Sequence, residues 1–169
     1  MKIKHIALYG VLTCAAMMLS FIEGFLDLSF IAPGVKIGLA NLMALLLILF
    51  DDFKGAFYVT TARVGLSALL FGTPVSFIFS LLGGIISVSV MCLLSYRKNF
   101  STLFISIVGG TVHNIVQCIV ASIILKTISV FLYLPLLIIF GILCGMAVGL
   151  LSLFIHKNKS ISKLFKECL

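Results

Sequence analysis

Tryptophan is absent from this chain, and charge is nearly so: 10% of its 169 residues are Asp, Glu, Lys or Arg, against 62% hydrophobic. An ordinary soluble domain carries roughly 25% charged residues. A water-soluble fold of this length would lack the polar side chains to cover its own surface, so that class is excluded. A mean hydropathy of +1.32 and 15 Phe point the same way, to an integral membrane protein. The missing Trp runs against the usual aromatic belt at the membrane surface. Only Tyr9, Tyr58, Tyr96 and Tyr133 can substitute for it.

Acidic residues are also scarce, five against twelve basic, for a net charge of +7. A nucleic-acid partner is not indicated, because no basic face interleaved with aromatics exists to bind one. Most of the Lys and Arg residues lie at the chain ends and in one short loop, where they flank apolar runs, which is the positive-inside pattern. Clustered metal ligands are lacking as well. Cys14, Cys92, Cys118, Cys144 and Cys168 form no CxxC and have no clustered His. Four of them lie inside apolar runs, where Cys behaves as a small hydrophobe. Neither a metal site nor a disulfide framework is indicated.

No nucleophile–base–orienter set, P-loop or dinucleotide glycine pattern appears, so no catalytic residue and no cofactor is assigned. Asp51-Asp52 resembles part of the aspartate-rich motif with which prenyl synthases hold magnesium diphosphate. The continuation Phe53-Lys54-Gly55 lacks the further aspartate, and a helix end explains the pair more simply.

What the chain does have is a series of apolar runs, read as one transmembrane domain with spans at 6–22, 37–50, 55–71, 75–95, 103–125 and 130–155, and a basic, weakly amphipathic tail at 156–169. The expected fold is an all-α bundle of about six transmembrane helices, multi-pass in a cell membrane of bacterial type. The first run is read as an uncleaved helix rather than a signal peptide. Lys2, Lys4, Lys54, Arg97, Lys98, Lys157, Lys159, Lys163 and Lys166 fall on one side of this arrangement and only Lys36 and Lys126 on the other. That bias places both ends in the cytoplasm. The run 37–50 is short for a hydrocarbon core about 30 Å thick. With Pro33, Gly34 and Asn41 nearby, the stretch from Glu23 to Asn41 reads as a broken or re-entrant segment lining a pocket, since irregular backbone at membrane depth needs cover.

Small residues recur at packing distance. Gly141, Gly145 and Gly149 make two GxxxG steps, Ser76, Ser80 and Gly84 form a row with Gly83 and Ser87 beside it, and Gly10 and Cys14 lie four apart on the first helix. Such rows let helices approach closely in lipid. Packing within the chain accounts for most of them, and the Gly10–Cys14 row is the best placed to dock a separate membrane subunit.

Polar residues inside apolar runs are costly, about 2.5–3.5 kcal/mol for a charge at the bilayer centre on insertion scales. Arg63 occupies the middle of its run, so it calls for a ligand anion or an internal partner, with Glu23 and Asp27 as candidates. His113, Asn114 and Gln117 are the second constellation, with Gly109 one turn earlier on the same face as His113 and Gln117, where a notch with polar walls is expected. Interhelical hydrogen bonding is the plainer account of that group. A lone His without acidic or Cys companions is a poor metal site.

Pro33-Gly34-Val35-Lys36-Ile37-Gly38-Leu39-Ala40-Asn41-Leu42, Arg63, Phe71-Gly72, Ser80 to Gly84 and His113-Asn114-Ile115-Val116-Gln117 occur in order across the chain. This pattern is similar to the small membrane family called heptaprenyl diphosphate synthase component I, also the Gx transporter family, and covers essentially the whole sequence. The family label implies a non-catalytic subunit of the enzyme that makes the menaquinone side chain. The architecture resembles the substrate-binding S component of energy-coupling factor (ECF) transporters, which implies a coupling subunit and ATPases as partners. The transport reading is favoured here, because the polar residues suit a pocket and the magnesium-binding aspartates are missing. On that reading Arg63, Glu23, Lys36, Asn41, His113, Asn114 and Gln117 line a site for a quinone or isoprenoid precursor, a flavin or another vitamin-like molecule. The alternative partner is the catalytic subunit of a prenyl synthase.

Overall fold

A computed structural model describes residues 3–25, 38–71 and 73–169. Among these, the regular elements are α1 (Ile3–Phe25), α2 (Asn41–Leu49), α3 (Phe53–Phe71), α4 (Pro74–Tyr96), α5 (Thr102–Leu125), α6 (Leu134–Lys157) and α7 (Lys159–Cys168), with one 3-10 segment, Ile128–Tyr133, leading into α6.

Short polar side chains start several of these helices by taking up otherwise orphaned backbone donors. Thr73 accepts from Ser76 N at 3.1 Å while Ser76 Oγ accepts from Thr73 N at 2.9 Å, a reciprocal cap ahead of Pro74 in the first turn of α4. Ser101 caps α5 through Phe104 N, and Asn158 Oδ1 accepts from Ser160 N and Ile161 N to start α7. Asp52 caps α3, its Oδ1 accepting from Gly55 N at 2.9 Å. Gly38, at φ +79°, occupies the left-handed region immediately before α2, where a side chain would be strained.

Among the described residues, four segments are long and apolar enough to cross a membrane: Ile3–Glu23, Pro74–Tyr96, Thr102–Leu125 and Ile128–Lys157. Their outer surfaces are apolar, with Ile3, Ile128, Leu132 and Phe154 more than three-quarters exposed. Water-soluble monomers rarely show contiguous apolar surface on this scale. The protein is an all-α membrane protein. Helix α3 is less apolar because it carries Lys54, Thr60, Thr61 and Arg63, yet it packs between α1 and α4 at the same level.

Within the run 37–50, already short for a span, the structure forms one helix. That helix, Asn41–Leu49, has nine residues, about 14 Å at 1.5 Å per residue, roughly half the hydrocarbon thickness. Leu42 and Ala44–Ile48 are all buried, in contact with helices on every side rather than with lipid. Complete burial explains why hydropathy alone reads α2 as a span: a helix apolar all round belongs either in lipid or in a core.

Glycine sets the closest helix pair, α5 with α6. A methyl added to Gly110 would lie 2.8 Å from the Gly141 carbonyl oxygen, one on Gly141 2.8 Å from Thr111 Cα, and one on Gly145 2.7 Å from Ile107 Cα. The GxxxG row of α6 therefore packs inside the chain. Buried serines fasten α5 to both neighbours through backbone acceptors: Ser87 Oγ of α4 donates to Gly109 O at 2.8 Å, and Ser106 Oγ donates to Gly145 O of α6 at 2.7 Å.

One end of the molecule gathers α1, the α2–α3 corner, the end of α6 and α7. Tyr9 OH donates to Asp52 Oδ2 at 2.6 Å. Phe50 stacks on Phe165 with ring centroids 4.7 Å apart and lies 4.7 Å from the His156 ring. The tail, expected to be weakly amphipathic, is strongly so: Ile161, Phe165 and Cys168 pack onto the bundle, while Lys159, Lys163 and Lys166 are exposed on the other face.

Candidate functional site

The charge expected in the bundle is there, and it has company within the chain. Arg63, on α3, is 8% exposed. Its Nη1 donates to Ser20 Oγ of α1 at 3.0 Å, and the Glu23 carboxylate, one turn further along α1, attracts it electrostatically. Glu23 does a second job, since its Oε1 accepts from Leu39 N at 2.7 Å, tying the end of α1 to the turn before α2. Ser20 is invisible as a partner from sequence. Its only signal is its spacing of three from Glu23, which puts both on one face of α1.

Helix α4 passes this group with two glycines. A methyl on Gly84 would lie 3.0 Å from Thr60 Cγ2 and 4.0 Å from Arg63 Nη2, and one on Gly83 would lie 3.1 Å from the His113 ring and 3.3 Å from Gln117 Cγ. Gly83 and Gly84 thus let α3 and α5 close in from either side, so that Arg63 and the His113–Gln117 pair flank the same thin stretch of α4. His113 is 5% and Gln117 8% exposed, and Gln117 Oε1 has no hydrogen-bond partner among the described residues. In a low-dielectric interior such an unsatisfied amide oxygen is costly.

The remaining candidates lie apart. Asn114, one position round the helix from His113, faces α6 and donates from Nδ2 to Leu137 O at 2.9 Å, so it serves helix packing. Asn41, 7% exposed, borders a void of about 10 Å³ together with Ser106, Gly110 and Gly145 at the α2–α5–α6 junction, room for about one water. Lys36 and Asp27 lie outside the described residues. The notch expected at Gly109 is filled: a methyl there would lie 2.5 Å from Met91 Sδ, so the Met91 thioether occupies the space under His113. Met is the side chain suited to such irregular gaps.

Two features concern partners and metals. Gly10 and Cys14 are exposed, and a methyl on Gly10 would meet nothing within 4 Å, so this row faces outward rather than into the bundle. Asp52 is engaged by Tyr9 and Gly55, and no group of three or more His, Cys, Asp or Glu residues among those described is placed to hold a metal ion.

The family model for heptaprenyl diphosphate synthase component I matches residues 12–155, from within α1 almost to the end of α6. No curated protein and no solved structure matches the chain. The chain belongs to the heptaprenyl diphosphate synthase component I family.

Proposed function

We propose that this protein is the non-catalytic membrane subunit of a prenyl diphosphate synthase, working with a catalytic subunit supplied by another chain. The observation that carries this reading is the family match across residues 12–155. The use of Asp52 as a helix cap supports it, because that aspartate is already satisfied by Tyr9 and Gly55 rather than held open for magnesium diphosphate. Lipid is the subunit's solvent. The buried polar groups around Gly83-Gly84, with Arg63, Glu23, His113 and Gln117, are the place for an amphiphilic small molecule with a polar head. Asn41 and Asn114 lie apart from that group, Asn114 with its amide occupied by Leu137, and Lys36 lies outside the described residues.

A second reading has a specific observation in its favour. A buried Arg and an unsatisfied Gln117 oxygen beside a thinned helix suit a substrate-binding subunit for uptake, and the outward Gly10–Cys14 row of α1 suits docking to a coupling subunit. Affinity purification of the full chain in mild detergent separates the two. A soluble prenyl synthase subunit is the expected companion. Recovery of paired ATPases with a membrane coupling subunit, and no prenyl synthase, would replace the first reading with the second.

A further inference from the structure

At the junction of α6 and α7, His156, Lys157, Lys159, Ser162, Lys163, Lys166 and Glu167 line an open surface groove of about 370 Å³. That volume lies within the range of small-molecule sites. Four lysines face one glutamate there, and Glu167 pairs with Lys163 alone, loosely, at 3.8 Å between exposed side chains. We propose that this groove binds the phosphate-bearing headgroup of a membrane amphiphile. Phosphate binding in the groove does not depend on the function proposed above, although a prenyl diphosphate as the ligand would deepen it.

Topology alone does not require such a groove. The positive-inside effect counts lysines near span ends and is indifferent to whether they splay into water or converge. Here the chain makes them converge. Asn158 caps α7 immediately after α6 ends, and Phe165 stacked on Phe50 holds α7 against the bundle. Lys159, Lys163 and Lys166, spaced four and three apart, share the helix face left outside. Lys157 and the His156 ring, itself packed on Phe50, complete the other wall.

The level of the groove selects the ligand. Helix α6 has 24 residues, about 36 Å at 1.5 Å per residue, so Lys157 emerges at the headgroup layer of a bilayer whose core is about 30 Å thick. A phosphate presented there on a lipid or a prenyl chain enters the groove with its tail still in the membrane. The ammonium groups would hold it as point charges, so binding should weaken as salt screens them.

The test uses the full chain in phosphatidylcholine nanodiscs, titrated with short-chain phosphatidylglycerol, a short-chain prenyl diphosphate and inorganic diphosphate. Lys159→Gln/Lys163→Gln/Lys166→Gln should lose binding, by about fivefold for each charge removed. The control Lys4→Gln/Lys54→Gln/Lys98→Gln removes the same charge at the same end and should bind as the parent does. Phe165→Ala keeps every charge but frees α7, and should also bind weakly. Saturation by phosphatidylglycerol with no competition from diphosphates would identify bilayer phospholipid as the source, whereas tighter binding of the diphosphates would identify a prenyl diphosphate. Equal losses in the groove and control triples, unchanged binding in Phe165→Ala, or no binding of any phosphate probe would overturn the proposal.

Discussion

Arg63 shows how the chain itself supplies partners to a charge inside an apolar bundle. Ser20 and Glu23 supply a hydrogen bond and a counter-charge from one face of α1. Glu23→Gln keeps an oxygen to accept from Leu39 N but removes the charge, so it isolates the electrostatic part of the interaction. Breaking a fully buried pair costs about 3–5 kcal/mol, and the loss here should be smaller because Glu23 is only partly buried. Glu23→Gln and Arg63→Ala should each lower the thermal unfolding midpoint in detergent, and the double variant should recover much of the loss. Equal and additive losses would show that the two residues are independent. At α5, Asn114→Leu removes the bond to Leu137 and should cost about 0.6–1.7 kcal/mol, the measured range for interhelical hydrogen bonds in membranes. Gln117→Leu removes an unsatisfied oxygen instead. It should leave stability unchanged or raised while weakening retention of any copurified small molecule, as mass spectrometry of the two preparations would show.

Among the elements, the glycine rows behave in opposite ways. Gly145→Leu would force side-chain atoms into the Ile107 backbone, so this variant should fail to give a monodisperse species on size exclusion. Gly10→Leu meets open space and should give a folded protein of parental stability. If α1 docks a partner through this row, Gly10→Leu should also abolish copurification; if the partner is retained, the contact lies elsewhere. Sequence spacing marks both rows equally, because it records where helices are able to approach and not which neighbour they approach. The same limit applies to α2. Its apolar composition was legible as a helix, but burial in protein and burial in lipid select the same residues, so only its nine-residue length tells against a span. The polar residues Arg63, His113 and Gln117 were legible as buried because each interrupts an apolar run. Their grouping around Gly83-Gly84 was not, since it depends on how α3 and α5 flank α4 in space. Ser20 and Tyr9, the partners of Arg63 and Asp52, are residue types common enough in any helix to carry no signal of their own.

At the scale of the whole molecule, the Tyr9–Asp52 bond and the Phe50–Phe165 stack bring the start of α1, the α2–α3 corner and α7 to one end. Lys4, Lys54, Lys157, Lys159, Lys163 and Lys166 follow them there, while Lys126 follows α5 at its far terminus. Reporter fusions after Lys98 and after Lys166 should accordingly both read cytoplasmic, and one after Thr73 should read external; an external C-terminus would contradict the six-span arrangement. The role proposed for this chain is tested most directly by prenyl diphosphate synthesis in vesicles, measured with the soluble catalytic subunit alone, with this chain alone and with both. The account predicts no product from this chain alone, and more long-chain product from the pair than from the catalytic subunit alone, with that subunit recovered on the vesicles. Identical synthesis with and without this chain, and a catalytic subunit that stays in solution, would contradict it.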